Sequence, residues 1–393
     1  MFDEFTNAAI AHTPITLATG DAYNAVITPD DFATALAEIT AWEGYAPTPL
    51  YHLSDLAKSL GLGNILYKDE GPRFGLGSFK ALGGAYAGLR ILQRELSARL
   101  GQDVTLDDIR TSRYADAVGQ VTLASATDGN HGRSLAWGAG RFGAPCQIYI
   151  HRDVSEGRAQ AMRDLGAIVT RVDGDYDASV DDVRRDADAN GWFVVSDTSW
   201  DGYTQPPTDV MAGYGVMVHE IVQDLAEPPT HVFLQGGVGG LAAAVAAGLR
   251  QHWGDKAPRV VVVEPELAAC LFASAKAGGV TNVAIAEETL MAGLSCGEPS
   301  PLAWNVLREE AQDFLTIPEA IVAPAMRLAG RPVGDDPSIV AGESAVAGFA
   351  AVIVGACQDG LREKLGLNDT SRVLVIGSEG ATDPDIYNAL MVG

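Results

Sequence analysis

The sequence predicts an α/β protein with two open, mainly parallel, twisted sheets that carry helices on both faces. Segments rich in Val and Ile alternate with helix-forming segments along most of the chain, as in residues 145–151, 155–165 and 167–172. Continuous apolar strands separated by helices are typical of parallel sheets buried on both faces. Glycine turns follow several of these strands directly. A length of 393 residues exceeds one ordinary core and indicates two domains.

The individual elements follow from their start and stop signals. Thr28 and Pro29, followed by two aspartates, predict the start of a helix that ends near residue 42. A short helix at 54–60 and a strand at 64–68 precede a glycine-rich turn and a helix from Lys80 to about residue 96. The other predicted strands are 120–126, 145–151, 167–172, 192–195, 231–235, 259–263 and 372–376, and the other helices include 131–142, 155–165, 178–190, 208–225, 241–252 and one near 383.

We expect the chain to exchange between domains near residues 90 and 205. Residues 1–90 and 205–393 would then form a large domain, and residues 91–204 a smaller α/β domain. No repeat, low-complexity tract or proline-rich linker interrupts this division.

Composition excludes several classes of partner. A formal net charge of −24 argues against a nucleic acid or an anionic membrane, because both require a basic surface. No apolar run is long enough to span a bilayer, and the first residues lack the pattern of a signal peptide, so we expect a cytoplasmic protein. The cysteines and histidines form no metal-binding pattern, so no metal site is expected.

A lysine beside a glycine-rich turn is the strongest chemical signal in the chain. Gly75 and Gly77 allow positive φ angles and a close approach to a ligand, and Ser78 is the predicted N-cap of the helix that Lys80 opens. Lost hydration and a nearby helix N-terminus both favour the neutral amine that attacks an aldehyde. The other lysines have ordinary surroundings on helix faces, at element ends or in loops, so Lys80 is the predicted nucleophile.

A second glycine-rich turn joins a predicted strand to a helix in the segment FLQGGVGGLAAA. Its turn residues are Gly236, Gly237, Val238, Gly239 and Gly240. Consecutive N–H groups at a helix start suit a phosphate group. The same segment matches the dinucleotide pattern GxGxxA, with Glu264 at roughly the distance expected of a ribose-binding acid. The residues alone therefore favour a phosphate monoester and NAD about equally.

Further polar residues follow predicted strands at the ends where parallel sheets bind ligands. Asp128 and Asn130 lie in the turn TDGN, where Asn130 suits a ring hydroxyl and Asp128 is either a base or a turn aspartate. Asp197 follows the strand at 192–195 and is either a cap or an active-site acid. Ser378 follows the last strand, and a hydroxyl there would leave a pyridine nitrogen largely unprotonated.

An amine nucleophile, a phosphate cradle and partners for a ring hydroxyl and a ring nitrogen describe a pyridoxal-phosphate site. From about residue 45 onward the chain resembles the diaminopropionate ammonia-lyases, of the tryptophan-synthase-β group (fold type II) of pyridoxal-phosphate enzymes. The motifs that carry the resemblance are YAPTPLYHL, KDEGPRFGLGSFKALGGAYA, ATDGNHGRSLAW, DTSWDGYTQPP, QGGVGG, MAGLSCGEP, AGESAVAG and SEGATDPDIY. The sequence departs from the family pattern at Gly77-Ser78, in the QGGVGG loop and at Ala381.

The resemblance implies a role for each candidate residue. Lys80 would be the Schiff-base lysine, Asn130 would face the ring hydroxyl, and Ser378 would lie near the pyridine nitrogen. Gly236–Gly240 would hold the phosphate, with the cofactor between the large and the small domain. Asp128 and Asp197 would be the two active-site aspartates.

The implied reaction is an elimination from 2,3-diaminopropionate, in L and D forms, to pyruvate and two ammonia, catalysed by a homodimer. A planar cofactor presents the α-hydrogens of the two enantiomers on opposite faces, so the resemblance pairs Lys80 on one face with Asp128 on the other. The alternatives are a fold type II dehydratase of a 3-hydroxy amino acid, an NAD-dependent oxidoreductase and a non-catalytic cofactor-binding protein.

Overall fold

The computed structural model describes residues 2–127 and 129–392, which divide into two compact units. The first unit comprises residues 2–29, 46–78 and 217–392, and the second comprises 30–45 and 79–216. The second unit contains residues 91–204 and also includes the whole helix that begins at Lys80. The division predicted from the sequence would instead cut this helix near residue 90. The assignment of residues 1–90 and 205–393 to a large domain stays a prediction.

The described elements are as follows. The strands are β1 (Ala11–Pro14), β2 (Leu50–His52), β3 (Asn64–Asp69), β4 (Leu123–Ala126), β5 (Cys146–Ile150), β6 (Ile168–Arg171), β7 (Phe193–Val194), β8 (His231–Gln235), β9 (Arg259–Pro265), β10 (Ala311–Ile317) and β11 (Arg372–Gly377). The helices are α1 (Asp3–Thr6), α2 (Ala22–Ala25), α3 (Pro29–Ile39), α4 (Ser54–Ser59), α5 (Lys80–Leu100), α6 (Leu106–Arg110), α7 (Ala115–Val118), α8 (Asn130–Phe142), α9 (Glu156–Asp164), α10 (Tyr176–Asn190), α11 (Gln205–Asp224), α12 (Gly240–Trp253), α13 (Cys270–Ala277), α14 (Pro301–Glu310), α15 (Val322–Gly330), α16 (Ala347–Cys357), α17 (Asp359–Leu365) and α18 (Pro384–Met391).

Seven described strands of the first unit form one sheet, in the order β1-β10-β9-β8-β11-β3-β2. The inner pairs are parallel, while β1 and β2 pair antiparallel at the two edges. The central strand β8 is buried along its whole length, because helices cover both of its faces. Helix α16 packs so closely on β8 that a Cβ at Gly348 would lie 2.8 Å from the Phe233 carbonyl oxygen.

The second unit contains a four-stranded parallel sheet in the order β6-β5-β4-β7. Helix α5 packs on α8 where a Cβ at Gly138 would lie 2.6 Å from the Cα of Ala85. Helix α5 also meets α11 where a Cβ at Gly213 would lie 2.3 Å from the Leu82 carbonyl oxygen. Glycine is required at both crossings because the backbones themselves are in contact.

The predicted fold class is confirmed, and every predicted strand is present with small shifts at its ends. Strands β1, β2 and β10 were missed; β10 follows α14 directly, without a turn signal. Ser78 is not an N-cap: α5 begins after Phe79 without a side-chain cap, and Ser78 is buried and forms a backbone bridge with Glu379. No helix within residues 2–127 and 129–392 is long and apolar enough to cross a membrane.

A buried ion cluster lies just before the glycine-rich turn. Glu220 accepts hydrogen bonds from Lys68 and Arg73 at 2.7 Å, and Glu70 accepts another from Arg73 at 2.7 Å and one from Thr48 at 2.6 Å. The carboxylate that pairs with Lys68 is Glu220, 152 residues away, although Asp69 and Glu70 directly follow Lys68 in the sequence. The positive charges of two cations and the negative charges of two carboxylates cancel, so all four groups can be buried together.

A buried carboxyl group also holds the start of α13. Glu264, at the end of β9, accepts hydrogen bonds from the amides of Leu271 (2.9 Å) and Phe272 (2.7 Å). These amides lie in the first turn of α13, where no helical acceptor exists. Burial raises the pKa of Glu264 to about 8, although the two amide hydrogen bonds act to lower it. The group is therefore largely protonated at neutral pH.

We predict that Glu220→Gln destabilises the protein by about 3–5 kcal/mol, because the buried cluster would then carry an uncompensated positive charge. Urea unfolding followed by circular dichroism measures the change. The matched control is Glu227→Gln, which removes a carboxylate that is 77% exposed and 3.8 Å from Arg372. The control should stay within about 0.5 kcal/mol of the wild type. Equal effects of the two variants would contradict the importance of the cluster.

We predict that Glu264→Gln removes a loss of stability that the wild type undergoes as pH rises. The unfolded chain releases the Glu264 proton near its ordinary pKa of 4.5, whereas the folded protein holds it to about pH 8. The folded state therefore binds more protons between these values, and its stability falls as pH rises through this range. Urea unfolding midpoints measured across this range should increasingly favour the variant. The control is Glu266→Gln, which changes an exposed carboxylate. If the difference in unfolding midpoint between Glu264→Gln and the wild type were the same at every pH, the prediction would be refuted.

Candidate active site

Lys80 and Asp197 form an ion pair in the second unit. Lys80 is the first residue of α5, and its Nζ donates to Oδ2 of Asp197, which lies just after β7. The side chains are only 19% and 16% exposed, respectively. Burial acts to raise the pKa of Asp197, but the charge and hydrogen bond of Lys80 and the charge of His131 hold it below its ordinary value. The structure thus brings together two residues that the sequence singled out separately.

The turn before Lys80 has an unusual backbone conformation. Gly75 and Gly77 have φ angles of +70° and +84°, as their glycine identity predicts, and Phe74 has a φ of +51° despite its side chain. Arg73, within the buried ion cluster, anchors the start of this turn through Glu70 and Glu220. The turn is therefore fixed at its beginning by buried charge and leads directly into α5.

The loop that carries Asp197 is held by polar contacts on both sides. The hydroxyl of Tyr203 accepts from the amide of Ser196 at 3.0 Å and donates to the carbonyl of Val194 at 2.9 Å. The carbonyl of Val195 lies 2.9 Å from Nε2 of His131 and accepts from Ser125 at 2.8 Å. These contacts lie within three residues of Asp197 and fix the backbone that precedes it.

A threonine organises the turn that precedes α8. The buried hydroxyl of Thr127 accepts from the amides of Gly129 (3.0 Å) and Gly132 (3.1 Å). Asn130, the predicted partner of a ring hydroxyl, is the half-buried first residue of α8. Asp128 lies outside the described residues. Sequence reasoning missed Thr127, although a threonine before a glycine turn is a recognised turn-forming residue.

In the first unit, the turn from Gly236 to Gly240 connects β8 to α12. Gly237 and Gly239 have φ angles of +58° and +98°, and a Cβ at Gly236 would lie 2.3 Å from Cγ of Glu264. Within the described residues, the amides of Gly237, Val238 and Gly240 donate to no protein acceptor. Unpaired N–H groups at the start of a 14-residue helix fit a phosphate group. The donor set of this turn therefore suits the phosphate of pyridoxal 5′-phosphate.

The competing dinucleotide interpretation depended on Glu264. This residue is wholly buried, and its carboxyl oxygens accept from the amides of α13. It lies beneath the glycine turn as a packing and capping residue, so it does not serve as a ribose-binding acid. The pattern GxGxxA therefore does not indicate NAD in this chain.

Ser378 lies at the same edge of the sheet as the glycine turn. It directly follows β11, which is the parallel neighbour of β8, and it is buried. Gln235, at the end of β8, donates to the carbonyl of Ile376 at 2.6 Å and ties the two strand ends together. The first unit thus groups Ser378 with Gly236–Gly240, while Lys80, Asn130 and Asp197 lie in the second unit.

Two thiols flank the glycine turn. Cys270 donates to the carbonyl of Gly237 at 3.5 Å, and Sγ of Cys296 lies 3.8 Å from the position of a Cβ at Gly237. Both cysteines are in the reduced thiol form. Within the part of the chain that the structure describes, no three His, Cys, Asp or Glu side chains are grouped to hold a metal ion.

A cavity of about 610 Å³ lies elsewhere in the second unit and is lined in part by Arg94, Arg184, Trp200 and Tyr203. Arg184 covers the Trp200 ring at 4.2 Å, and this ring stacks on Tyr203 at 3.8 Å. None of the predicted site residues lines the cavity. Trp200 and Tyr203 belong to the segment that follows β7, so the cavity lies beside the loop that carries Asp197.

Comparison with known proteins identifies the family. A family model described as pyridoxal-phosphate dependent enzyme matches residues 41–379. The diaminopropionate ammonia-lyase of Escherichia coli (strain K12) is 40% identical over 355 residues, which cover 88% of this chain and 88% of that protein.

Solved structures of the Escherichia coli diaminopropionate ammonia-lyase match almost the whole chain. Its complex with D-serine gives a TM-score of 0.88 at 35% identity and covers 98% of this chain and 97% of that one. Its complex with an aminoacrylate-PLP azomethine reaction intermediate gives 0.87 at 34% identity with the same coverage. The chain therefore belongs to the pyridoxal-phosphate dependent enzymes and, among them, to the diaminopropionate ammonia-lyases.

Proposed function

We propose that this protein catalyses the pyridoxal-phosphate-dependent elimination of 2,3-diaminopropionate, in which the substrate and one water give pyruvate and two ammonia. The observation that carries the proposal is the ion pair between Lys80 and Asp197, in which a half-buried amine donates to a carboxylate that follows a strand of the four-stranded sheet. The family supports the substrate, since its 40% identical relative is named for it.

Four groups of residues would hold the cofactor. Lys80 would bind its aldehyde, and the unpaired amides of Gly237, Val238 and Gly240 would bind its phosphate. Asn130 would face the ring hydroxyl and Ser378 the ring nitrogen. When bound, the cofactor supplies an aldehyde that condenses with amines and an electron-poor ring that stabilises negative charge at the substrate Cα.

Asp197 would serve as the binding site for a cation throughout the reaction. Before substrate binds, its carboxylate is paired with the Lys80 ammonium. When Lys80 has lost its charge, the half-buried carboxylate needs another cation, because an unpaired charge in that position is costly. The β-ammonium group of diaminopropionate supplies it, whereas the hydroxyl of serine or threonine does not. We therefore propose that Asp197 selects for a diamine.

Two bases would allow both enantiomers to react. Lys80 would remove the α-proton from one face and Asp128 from the other, since a single base does not reach both faces at hydrogen-bonding distance. The complex of the Escherichia coli relative with D-serine supports the binding of a D-amino acid in this fold.

We further propose that the enzyme is a homodimer in the cytoplasm, with residues 1–90 and 205–393 as the cofactor-binding domain. The resemblance to the diaminopropionate ammonia-lyases is what implies the dimer. The turn of Gly236–Gly240 and Ser378 both lie within this proposed domain, which supports its role in binding the cofactor.

The proposal predicts release of pyruvate and ammonia from 2,3-diaminopropionate by the purified protein. Serine, threonine and 3-hydroxyaspartate should react at least tenfold more slowly, because they lack the second ammonium group for Asp197. Borohydride reduction followed by peptide mapping should locate the pyridoxyl group on Lys80, and Lys80→Ala should abolish both the adduct and the reaction. Faster turnover of a 3-hydroxy amino acid, or an adduct on another lysine, would overturn the proposal.

The two-base scheme predicts that Asp128→Asn separates the enantiomers. Its kcat on the D isomer should fall by about 100-fold or more, the usual contribution of a positioned base, while the kcat on the L isomer stays near wild type. The measurement is the initial rate of pyruvate release from each enantiomer. Lys80→Arg is not a suitable comparison because Lys80 also binds the cofactor, so the exposed Asp201→Asn serves as the control. Equal losses for both isomers would refute the scheme.

A further inference from the structure

Strands β8 and β11 end side by side in the first unit, and each leads into one part of the proposed cofactor site. Strand β8 continues into the turn of Gly236–Gly240, and β11 continues into Ser378. Within the described residues, the last pair of the ladder between these two strands is Phe233 with Val375. The ladder therefore stops before the ends of both strands, so it does not itself hold the glycine turn against Ser378.

The side chain of Gln235 links the two strand ends beyond this ladder. Gln235 is the last residue of β8, and its Nε2 donates to the carbonyl of Ile376 at 2.6 Å. The same nitrogen donates to the carbonyl of Ala345, just before α16, at 2.9 Å. A side-chain amide has two N–H donors, so these hydrogen bonds use both of them and define its orientation. One side chain thus joins three segments, of which one carries the glycine turn and another carries Ser378.

The segment that contains Ala345 is itself bound to the residue that follows Ser378. The amide of Gly342 donates to the carbonyl of Glu379 at 3.0 Å, and the amide of Ser344 donates to Oε1 of the same residue at 3.1 Å. Ser344 and Glu379 are both buried. Both hydrogen bonds of the side-chain amide at the end of β8 therefore lead to the neighbourhood of Ser378, one directly and the other through this segment.

The burial of Gln235 indicates that its two donors are needed. The residue is 1% exposed, at the end of a strand whose residues are all buried. Its Oε1 accepts no hydrogen bond from any residue that the structure describes. Leaving a buried acceptor unpaired is costly, so an apolar side chain of similar size would be more favourable if this position served packing alone.

We propose that Gln235 is a positioning residue that sets the distance between two anchors of the cofactor, the amides of the glycine turn for its phosphate and Ser378 for its ring nitrogen. A ligand held at two points gains affinity from both only when their separation matches its own. The β9 side of the turn is already fixed, because the amide of Gly236 donates to the carbonyl of Val263 at 2.8 Å. Gln235 supplies the link on the β11 side. This inference rests on the proposed function, in which the turn binds the cofactor phosphate.

The test uses the cofactor-free, full-length protein and two probes that form no imine with Lys80. Pyridoxine 5′-phosphate carries the ring nitrogen and the phosphate but has an alcohol in place of the aldehyde, whereas inorganic phosphate carries the anion alone. Isothermal titration calorimetry gives the Kd of the first probe, and its displacement by inorganic phosphate gives the Kd of the second. Gln235→Met keeps the length of the side chain and removes its donors. It should raise the Kd of pyridoxine 5′-phosphate by about tenfold or more and leave that of inorganic phosphate within about twofold, because only the ligand with two anchors needs their correct separation.

Gln251→Met is the matched control. Gln251 lies in the last turn of α12, at the opposite end from the glycine turn, and its Nε2 also donates to two carbonyls, those of Tyr23 at 2.7 Å and Ile27 at 2.8 Å. The control should leave both Kd values within about twofold of the wild type. An equal rise for both probes in Gln235→Met, no rise for pyridoxine 5′-phosphate, or the same change in Gln251→Met would overturn the inference.

The remaining outcomes are also decisive. If Gln235→Met does not fold, Gln235→Leu provides the same test with another apolar side chain, and failure of both to fold would assign Gln235 a structural role and overturn the inference. Absence of competition by inorganic phosphate in the wild type would overturn it as well. Borohydride trapping in the wild-type holoenzyme reports separately on the proposed function. An adduct on Lys80 together with an unchanged Kd of pyridoxine 5′-phosphate in Gln235→Met would refute the inference and leave the proposed function standing.

Discussion

The pairing of one half-buried amine with one half-buried carboxylate is the constraint on which the site depends. The side chains of Lys80 and Asp197 retain less than a fifth of their exposure, so neither charge is well hydrated. Each charge therefore needs an opposite charge beside it, either the other member of the pair or a group that takes that member's place. In the proposed reaction, the amine loses its charge and the substrate ammonium then takes its place beside the carboxylate. The carboxylate would thus always have a cation as its partner.

The chain fixes the two members of this pair by different means. Lys80 stands at the start of α5, after a turn whose beginning is anchored through Arg73 to the buried carboxylates of Glu70 and Glu220. Asp197 stands on a loop, where hydrogen bonds of Tyr203 and Val195 hold the backbone on either side. Buried ion pairs fix the start of the turn in the first unit, and a satisfied backbone fixes the Asp197 loop in the second.

Local patterns predicted the fold class and supplied most of the candidate site residues, because strand ends and glycine turns are encoded within a few residues. Lys80, Asn130, Asp197, the turn of Gly236–Gly240 and Ser378 all follow such patterns. Contacts between distant segments were not predictable in this way. The partner of Lys68 is Glu220, 152 residues away, and Ser78 forms a bridge with Glu379 where a local rule predicted a cap.

The glycine turn after β8 shows how burial separates two functions that share one motif. A phosphate monoester and a dinucleotide both need unpaired amides at a helix start, so GVGGLA satisfies either. A dinucleotide site also needs an acidic residue at the end of the next strand that binds the ribose, whereas a phosphate-monoester site does not. In this protein that acid, Glu264, lies beneath Gly236 and accepts from the first turn of α13. A residue that is wholly buried and already hydrogen-bonded is not placed to bind a sugar, and this favours the phosphate interpretation of the turn.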